Sequence, residues 1–203
     1  MTEQVTPEVV LSFWIGDALL GAEAAQKQHK LWFQKSVQTD EQIAARFLPT
    51  LTALANGEAY DWAERGPRAR LAAIIVLDQF SRNIFRGDKL AFAHDRMALG
   101  LTKEGLMIGA DKPLHTIEKI FFYLPLEHSE RMADQDLCVD LYAKLTASCE
   151  PECKEMMEST LDFAKRHRVI IKQFGRFPHR NEILGRPSTP EEAAFLKQPG
   201  SGF

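Results

Sequence analysis

The stretch PRARLAAIIVLDQFSRNIFRG, residues 67–87, decides the architecture. Proline opens it at a position where a helix needs no N–H donor, and glycine closes it where a helix ends. Residues 67–86 therefore read as one helix. Projected at roughly 100° per residue, Leu71, Ile74, Ile75 and Phe85 mark an apolar centre, and Val76, Leu77 and Phe80 spread apolar surface over most of the remainder. A helix of that kind is buried nearly all round, so other elements must surround it. Asp78, Arg82 and Arg86 fall inside the apolar stripe instead of opposite it. Burying an unpaired charge is costly, so Asp78 and Arg82, four residues apart, are expected to pair. Arg86 either joins them in a site or complements the helix C-terminus beside Gly87.

Helix signals recur outward from this segment. Thr6, Pro7 and Glu8 combine a cap, a first-turn proline and an acid at the positive end of the helix dipole, and Val9, Val10, Phe13 and Trp14 follow with helical spacing. Thr39 with Gln42 reads as a capping box before the stripe Ile43, Phe47, Leu48, Leu51 and Leu54. Thr189, Pro190, Glu191 and Glu192 mark a last short helix. Further helices are expected near 25–37, 89–108, 114–128, 131–148 and 152–174, the last closed by Gly175. No stretch alternates apolar and polar residues for long, and no Asn-Gly or Asp-Gly hairpin occurs. The fold class is all-α, a single domain over 1–203. Short connections favour antiparallel helical hairpins, packed either as a tetratricopeptide-like array or as an irregular bundle. Trp14, Trp32 and Phe33 are expected in its core.

Composition narrows the function classes. A chain of 203 residues with 45% apolar and 26% charged residues has the proportions of an ordinary globular protein. With 25 basic against 28 acidic residues, the net charge of −3 offers no surplus for a nucleic-acid backbone. The longest apolar runs, Leu71–Leu77 and Ile120–Leu126, are far shorter than the roughly 20 residues of a membrane span. The N-terminus MTEQVTPEVV lacks a basic region and an apolar leader, which predicts a cytoplasmic protein. Cys138, Cys149 and Cys153 are an odd number without a second pair, and a reducing compartment makes neither a disulfide framework nor a thiolate metal site the expectation. There is no GxSxG, Walker or GxGxxG motif. The histidines lack metal-ligand spacing, His29 and His115 read as surface residues near helix ends, and His94 and His167 read as mid-helix and solvated.

Two further segments carry polar groups in apolar surroundings. In FFYLPLEHSE, residues 121–130, Pro125 cannot donate to the carbonyl of Phe121, so the helix is expected to kink or end there and to place His128 beside Glu127 at its terminus. An imidazole beside a carboxylate titrates near neutrality and moves protons, although for this segment alone a partly exposed histidine capping a helix is the more ordinary reading. In FGRFPHRNEILGR, residues 174–186, Arg176, Arg180 and Arg186 face one acid, Glu182, with His179 and Asn181 adding donors and Phe174, Phe177, Ile183 and Leu184 anchoring the loop. Clustered guanidiniums suit a phosphate or carboxylate, unless acids of neighbouring helices pair with them.

The three blocks LDQFSRNIFRGD, FFYLPLEHSE and FGRFPHRNEILGRPSTPEE resemble the hallmark blocks of a bacterial family known as domain of unknown function 924, and the resemblance runs from VLSFWIGD to FLKQPGSGF. It implies an all-helical, tetratricopeptide-like fold and supplies no chemistry. Its shared polar positions correspond to Asp78, Gln79, Arg82, Asn83, Arg86, His128, Arg176, His179, Arg180 and Asn181; Ser81 stands where the pattern has proline. The best-supported expectation is a closed pocket where the three blocks meet. Asp78, His128 and His179 would form its acid–base set, and Arg82, Arg86, Arg176, Arg180, Asn181, Gln79 and Asn83 would hold a small phosphate- or carboxylate-bearing molecule without metal or cofactor. The alternative is a helical scaffold for a peptide or protein segment.

Overall fold

The computed structural model describes residues 5–202. They form α1 (Pro7–Trp14), α2 (Ala22–Phe33), α3 (Val37–Ala53), α4 (Ala59–Glu64), α5 (Pro67–Ile75), α6 (Ser81–Ile84), α7 (Asp95–Met107), α8 (Thr116–Glu127), α9 (Met132–Ser148), α10 (Lys154–Phe174) and α11 (Pro190–Phe195). No strand occurs among the described residues, and no helix there is long and apolar enough to cross a membrane.

Contacts along the helices give their directions. The partner numbers of α9 and α10 run oppositely: Thr146 donates to the Met157 carbonyl near the turn, while Arg168 reaches Asp136 at the far end. The same opposition holds for α8 and α9, through Tyr142 on the Ile120 carbonyl and Gln135 on the Glu127 carbonyl. It holds again for the α5–α6 segment and α7, through Arg70 on the Leu101 carbonyl and Arg82 on Asp95. Helices α5 and α8 run parallel, since Arg68 pairs with Glu118 at one end and Asp78 with His128 at the other. Short connections thus give antiparallel sequential neighbours, as loop length demands.

The helix that the sequence places at the centre lies there. Every residue from Ala69 to Ser81 is buried. It is surrounded by an apolar cluster drawn from α1 to α10, in which Trp14, Phe47, Phe80 and Phe121 are wholly enclosed. Phe80 meets Phe47 at 4.7 Å and Trp14 at 5.4 Å, and Trp14 meets Phe121 edge-on at 5.8 Å. A smaller apolar cluster of Ile170, Ile171 and Phe177 anchors the chain beyond α10.

Several local expectations are corrected. α3 begins at Val37, because Ser36 and not Thr39 is the cap: Thr39 donates its N–H to the Ser36 hydroxyl at 3.2 Å. α2 begins and ends earlier than 25–37, and Phe33, its last residue, is half exposed against His29. The stretch expected as one helix over 89–108 is a 3₁₀ turn, Lys89–Phe92, followed by α7, with His94 at its N-cap. α4 has no counterpart among the expected helices. Pro125 does not end α8, which continues two residues further; the packing of a helix buried everywhere except Lys119 outweighs the one hydrogen bond that Pro125 cannot make. The caps at Thr6 and Thr189 form as expected, the latter as a reciprocal box with Glu192.

Gly105 in α7 is where two helices approach too closely for a side chain. A Cβ there would lie 2.6 Å from Phe122 Cζ and 2.9 Å from Arg70 Cδ. The Phe122 ring is wholly buried and has nowhere to retreat. Gly105→Ala should cost about 1–3 kcal/mol by overpacking, seen as a thermal midpoint lower by roughly 2–4 °C for each kcal/mol in a chain of this size.

Candidate functional site

Between α5 and α6 the helix widens into a π turn over Val76–Phe80. One extra residue in a turn sets the following residues back by roughly 100°. The helix then ends at Ile84, with Phe85 outside helical geometry. Asp78, in the turn itself, points to α8, whereas Asn83 and Arg86 beyond it face α3: Asn83 Nδ2 donates to Asp40 at 2.8 Å, and Arg86 grips the same carboxylate through Nε and Nη2. Arg86 and Asn83, expected beside Asp78, thus form a clamp on Asp40 of α3.

Asp78 is 1% exposed. His128, the C-cap of α8, places Nδ1 2.7 Å from Asp78 Oδ1; Arg82 Nη1 lies 3.1 Å from the same oxygen, and Gln79 donates to Oδ2 at 2.6 Å. Burial pushes the Asp78 carboxyl up, but Arg82 and then His128 outweigh it and hold the group well below the ordinary carboxylate range. Burial, reinforced by Arg82, pushes His128 down, against the pull of Asp78. The pair is thus an ionised Asp78 accepting from the Nδ1–H of a neutral imidazole. His128 Nε2 has no hydrogen-bond partner among the described residues, and the side chain is partly exposed. This is the tautomer that leaves a basic nitrogen available.

Arg82 is spent within the protein. It donates to the Asp78 backbone carbonyl at 2.9 Å and grips Asp95, at the start of α7, through Nη1 and Nη2 at 2.8 and 3.0 Å. Arg180 is different. It comes from the 3₁₀ turn Pro178–Arg180, lies buried between the rings of Phe92 and Phe177 at 4.8 and 4.5 Å, and donates through Nη1 to the His128 carbonyl at 3.1 Å. Its Nε is buried and lacks a hydrogen bond among the described residues. Burial and the neighbouring Arg82 lower it to about 10. His179 is half-buried beside the Phe177 ring, and burial and then Arg180 lower it to about 4, so it is neutral at physiological pH.

The rest of the C-terminal loop forms a second ionic network. Arg176 pairs with Glu192 and donates to the Pro187 carbonyl; Asn181 joins Ser188 and Glu192; Arg186 grips Glu130, which also accepts from the Phe177 N–H. Arg176 and Asn181 accordingly anchor the loop that presents Arg180, in place of the ligand-holding role expected of them. Of the expected set, the structure brings together Asp78, Gln79, Arg82, His128 and Arg180, with His179 alongside.

Three participants were missed or misread from sequence. Asp95, at the start of α7, was not singled out, because a lone acid after Leu90–His94 carries no periodic signal of its partners. His167, expected to be solvated, is buried on α10; its Nδ1 bonds the Phe163 carbonyl at 2.9 Å and lies 3.2 Å from Glu127. Burial lowers His167 to about 3 and, with the nearby Asp78 charge, raises Glu127 to about 8, so both are neutral at pH 7. Only the apolar spacing of Ala164, His167 and Ile171 on α10 carried a sequence-level hint. Two hollows lie away from Asp78: one of about 460 Å³ along α9 and α10 at Asp136, Leu137 and Arg168, and one of about 610 Å³ between α1 and α2 at Phe13, Leu20 and Gln28. No group of three or more His, Cys, Asp or Glu among the described residues is arranged to hold a metal, and all three cysteines are free thiols.

Residues 10–200 match the family described as "Bacterial protein of unknown function (DUF924)". The chain belongs to that family. A solved structure of another protein of unknown function, ATU0120 from Agrobacterium tumefaciens, is 34% identical to this DUF924 chain, covers 94% of it and 96% of its own length, and superposes with a TM-score of 0.78. No curated protein matches.

The protonated Glu127 gives this DUF924 protein a pH signature. The folded state retains a proton that the unfolded chain releases, so the stability present below the ordinary value of 4.5 is lost as pH rises towards about 8. Relative to Glu127→Gln, the wild type should weaken by up to ~1.4 kcal/mol per pH unit across that window. Urea unfolding of both proteins at pH 5, 7 and 9 measures the slope; parallel curves would show that Glu127 ionises normally.

Proposed function

We propose that the Asp78–His128–Arg180 centre binds a small molecule bearing a phosphate or carboxylate group, with Arg180 as its charge partner and His128 Nε2 as the group that gives or takes a proton. The observation that carries this reading is the contrast between spent and unspent donors. Arg82, Arg86, Arg176 and Arg186 are each gripped by a carboxylate within hydrogen-bond distance. Arg180 reaches its nearest carboxylate, Asp95, only at 3.6 Å and keeps a buried Nε without a hydrogen bond. A buried donor left unmade costs free energy comparable to a lost hydrogen bond, and an oxyanion repairs that deficit with a charge-assisted contact.

The neighbouring imidazole adds chemistry to binding. Asp78 fixes the His128 tautomer and orientation and stabilises the imidazolium that forms when Nε2 takes a proton, the ordinary division of labour between a base and its orienting carboxylate. The environment is apolar on two sides through Phe92 and Phe177, which strengthens an ionic contact made there. The scaffold alternative has the open hollow between α1 and α2 on its side, where Phe13 and Leu20 supply apolar surface. It leaves Arg180 and His128 without a task.

Inorganic phosphate should raise the thermal midpoint of the wild type, by an amount equivalent to about 2.7 kcal/mol at a concentration one hundred times the dissociation constant. The rise should vanish in Arg180→Gln and persist in Arg86→Gln, whose arginine serves α3. The His128 Nε2 resonance should move on the same titration. An equal rise in all three proteins, with that resonance unmoved, would remove the reading.

A further inference from the structure

Asp95 is the only carboxylate among the described residues that lies against both Arg82 and Arg180. Its two oxygens accept from Arg82 Nη1 and Nη2 at 2.8 and 3.0 Å, while Oδ2 stays 3.6 Å from Arg180 Nη1. The first contact is a two-pronged ion pair; the second is too long for a hydrogen bond. Phe92 covers both guanidiniums, its ring centroid 5.6 Å from Arg82 and 4.8 Å from Arg180. A carboxylate of the chain thus lies between two arginines beneath one aromatic ring, and beside it the buried Arg180 Nε has no hydrogen bond.

Asp95 is also the member of the cluster best able to leave. Its side chain is 23% exposed, against 1% for Asp78 and 8% for Arg180. It sits in the first turn of α7, which has no side-chain cap, so a rotated Asp95 carboxylate reaches water near the helix N-terminus, where a negative charge is favoured.

We infer that Asp95 is an internal stand-in for the ligand: its carboxylate occupies the place between Arg82 and Arg180 that the phosphate or carboxylate group of a bound small molecule takes, so that binding and the Asp95–Arg82 pair exclude one another. The inference rests on the anion-site reading of Arg180 given above. Charge balance supports exchange over addition. With His128 neutral, Asp78 and Asp95 balance Arg82 and Arg180; a further anion would leave a buried cluster with excess negative charge, whereas exchanging Asp95 for a monoanion keeps it neutral. The incoming group also gains what Asp95 lacks, an oxygen within reach of Arg180. Resident Asp95 lowers the apparent affinity by the fraction of molecules in which it has swung out, and a ligand must bind the open form well enough to hold it.

The test is calorimetric titration of inorganic phosphate into the wild type, Asp95→Asn, Arg180→Gln and the double variant. Asp95→Asn keeps the shape and the helix start but removes the competing charge, so it should bind phosphate at least about tenfold more tightly than the wild type, and the double variant should lose that gain. Equal affinity in the wild type and Asp95→Asn, with Arg180→Gln weakened, would overturn the stand-in while leaving the anion site in place. No binding to folded Asp95→Asn would overturn both. A crystal of the wild type soaked in phosphate decides the matter without a variant: phosphate between Arg82 and Arg180 with Asp95 turned outward supports the exchange, and phosphate bound with Asp95 still on Arg82 refutes it.

Discussion

A carboxylate that is 1% exposed in the middle of the most buried helix is the constraint around which the molecule is organised. Asp78 is tolerable there only because Arg82, Gln79 and His128 meet it within hydrogen-bond distance. Arg82 in turn needs a second anion and takes Asp95 from α7, and the carbonyl of His128 receives Arg180 from the C-terminal loop. Breaking one partner of such a buried pair costs about 3–5 kcal/mol, because the other is left uncompensated. The polar groups therefore fix the relative positions of α6, α7, α8 and the C-terminal loop more sharply than apolar packing alone, which tolerates small slips.

The π turn is the local device that makes this arrangement possible. The turn shifts everything after it relative to α5, and the helix then ends at Ile84, where Phe85 leaves helical geometry; Arg82, still on the helix, stays with Asp78 and Asp95, while Arg86, past its end, meets Asp40 on α3 together with Asn83. Beside the Asp40 clamp stand two further ionic systems with different tasks. One, through Glu130, Arg186, Asn181, Arg176 and Glu192, closes the C-terminal loop on itself and on the end of α8. The other surrounds His128 and contains donors that the protein does not use up. Single widened turns are frequent at functional sites, and this one carries Asp78 to the His128 ring.

Membership in the DUF924 family and the similarity to the Agrobacterium tumefaciens protein, over nearly the full length of both chains, extend the fold beyond this sequence. Both descriptions speak of unknown function, so chemistry has to be argued from side chains. The decisive distinction is between Arg82, Arg86, Arg176 and Arg186, each gripped by a carboxylate, and the buried Arg180, whose nearest carboxylate oxygen lies 3.6 Å away. That distinction was invisible before the partners were located, since Arg176, Arg180 and Arg186 occupy one loop and read alike in sequence.

Helix existence, the all-α class and the burial of residues 69–81 were legible from the sequence because they depend on local periodicity and on caps such as Thr6 and Thr189, whose partners lie within four residues. His128 at a helix end was legible from the polar residues Glu127–Glu130 that close the apolar run, although Pro125 does not itself end the helix. What the tertiary structure alone decided is every pairing across more than one turn: Asp95 with Arg82, Asp40 with Arg86, Glu192 with Arg176, and the burial of His167 against Glu127. A charge in a sequence states a need for a counter-charge but not an address. The address depends on helix phase, which one inserted residue changes, and on which helices the chain brings together.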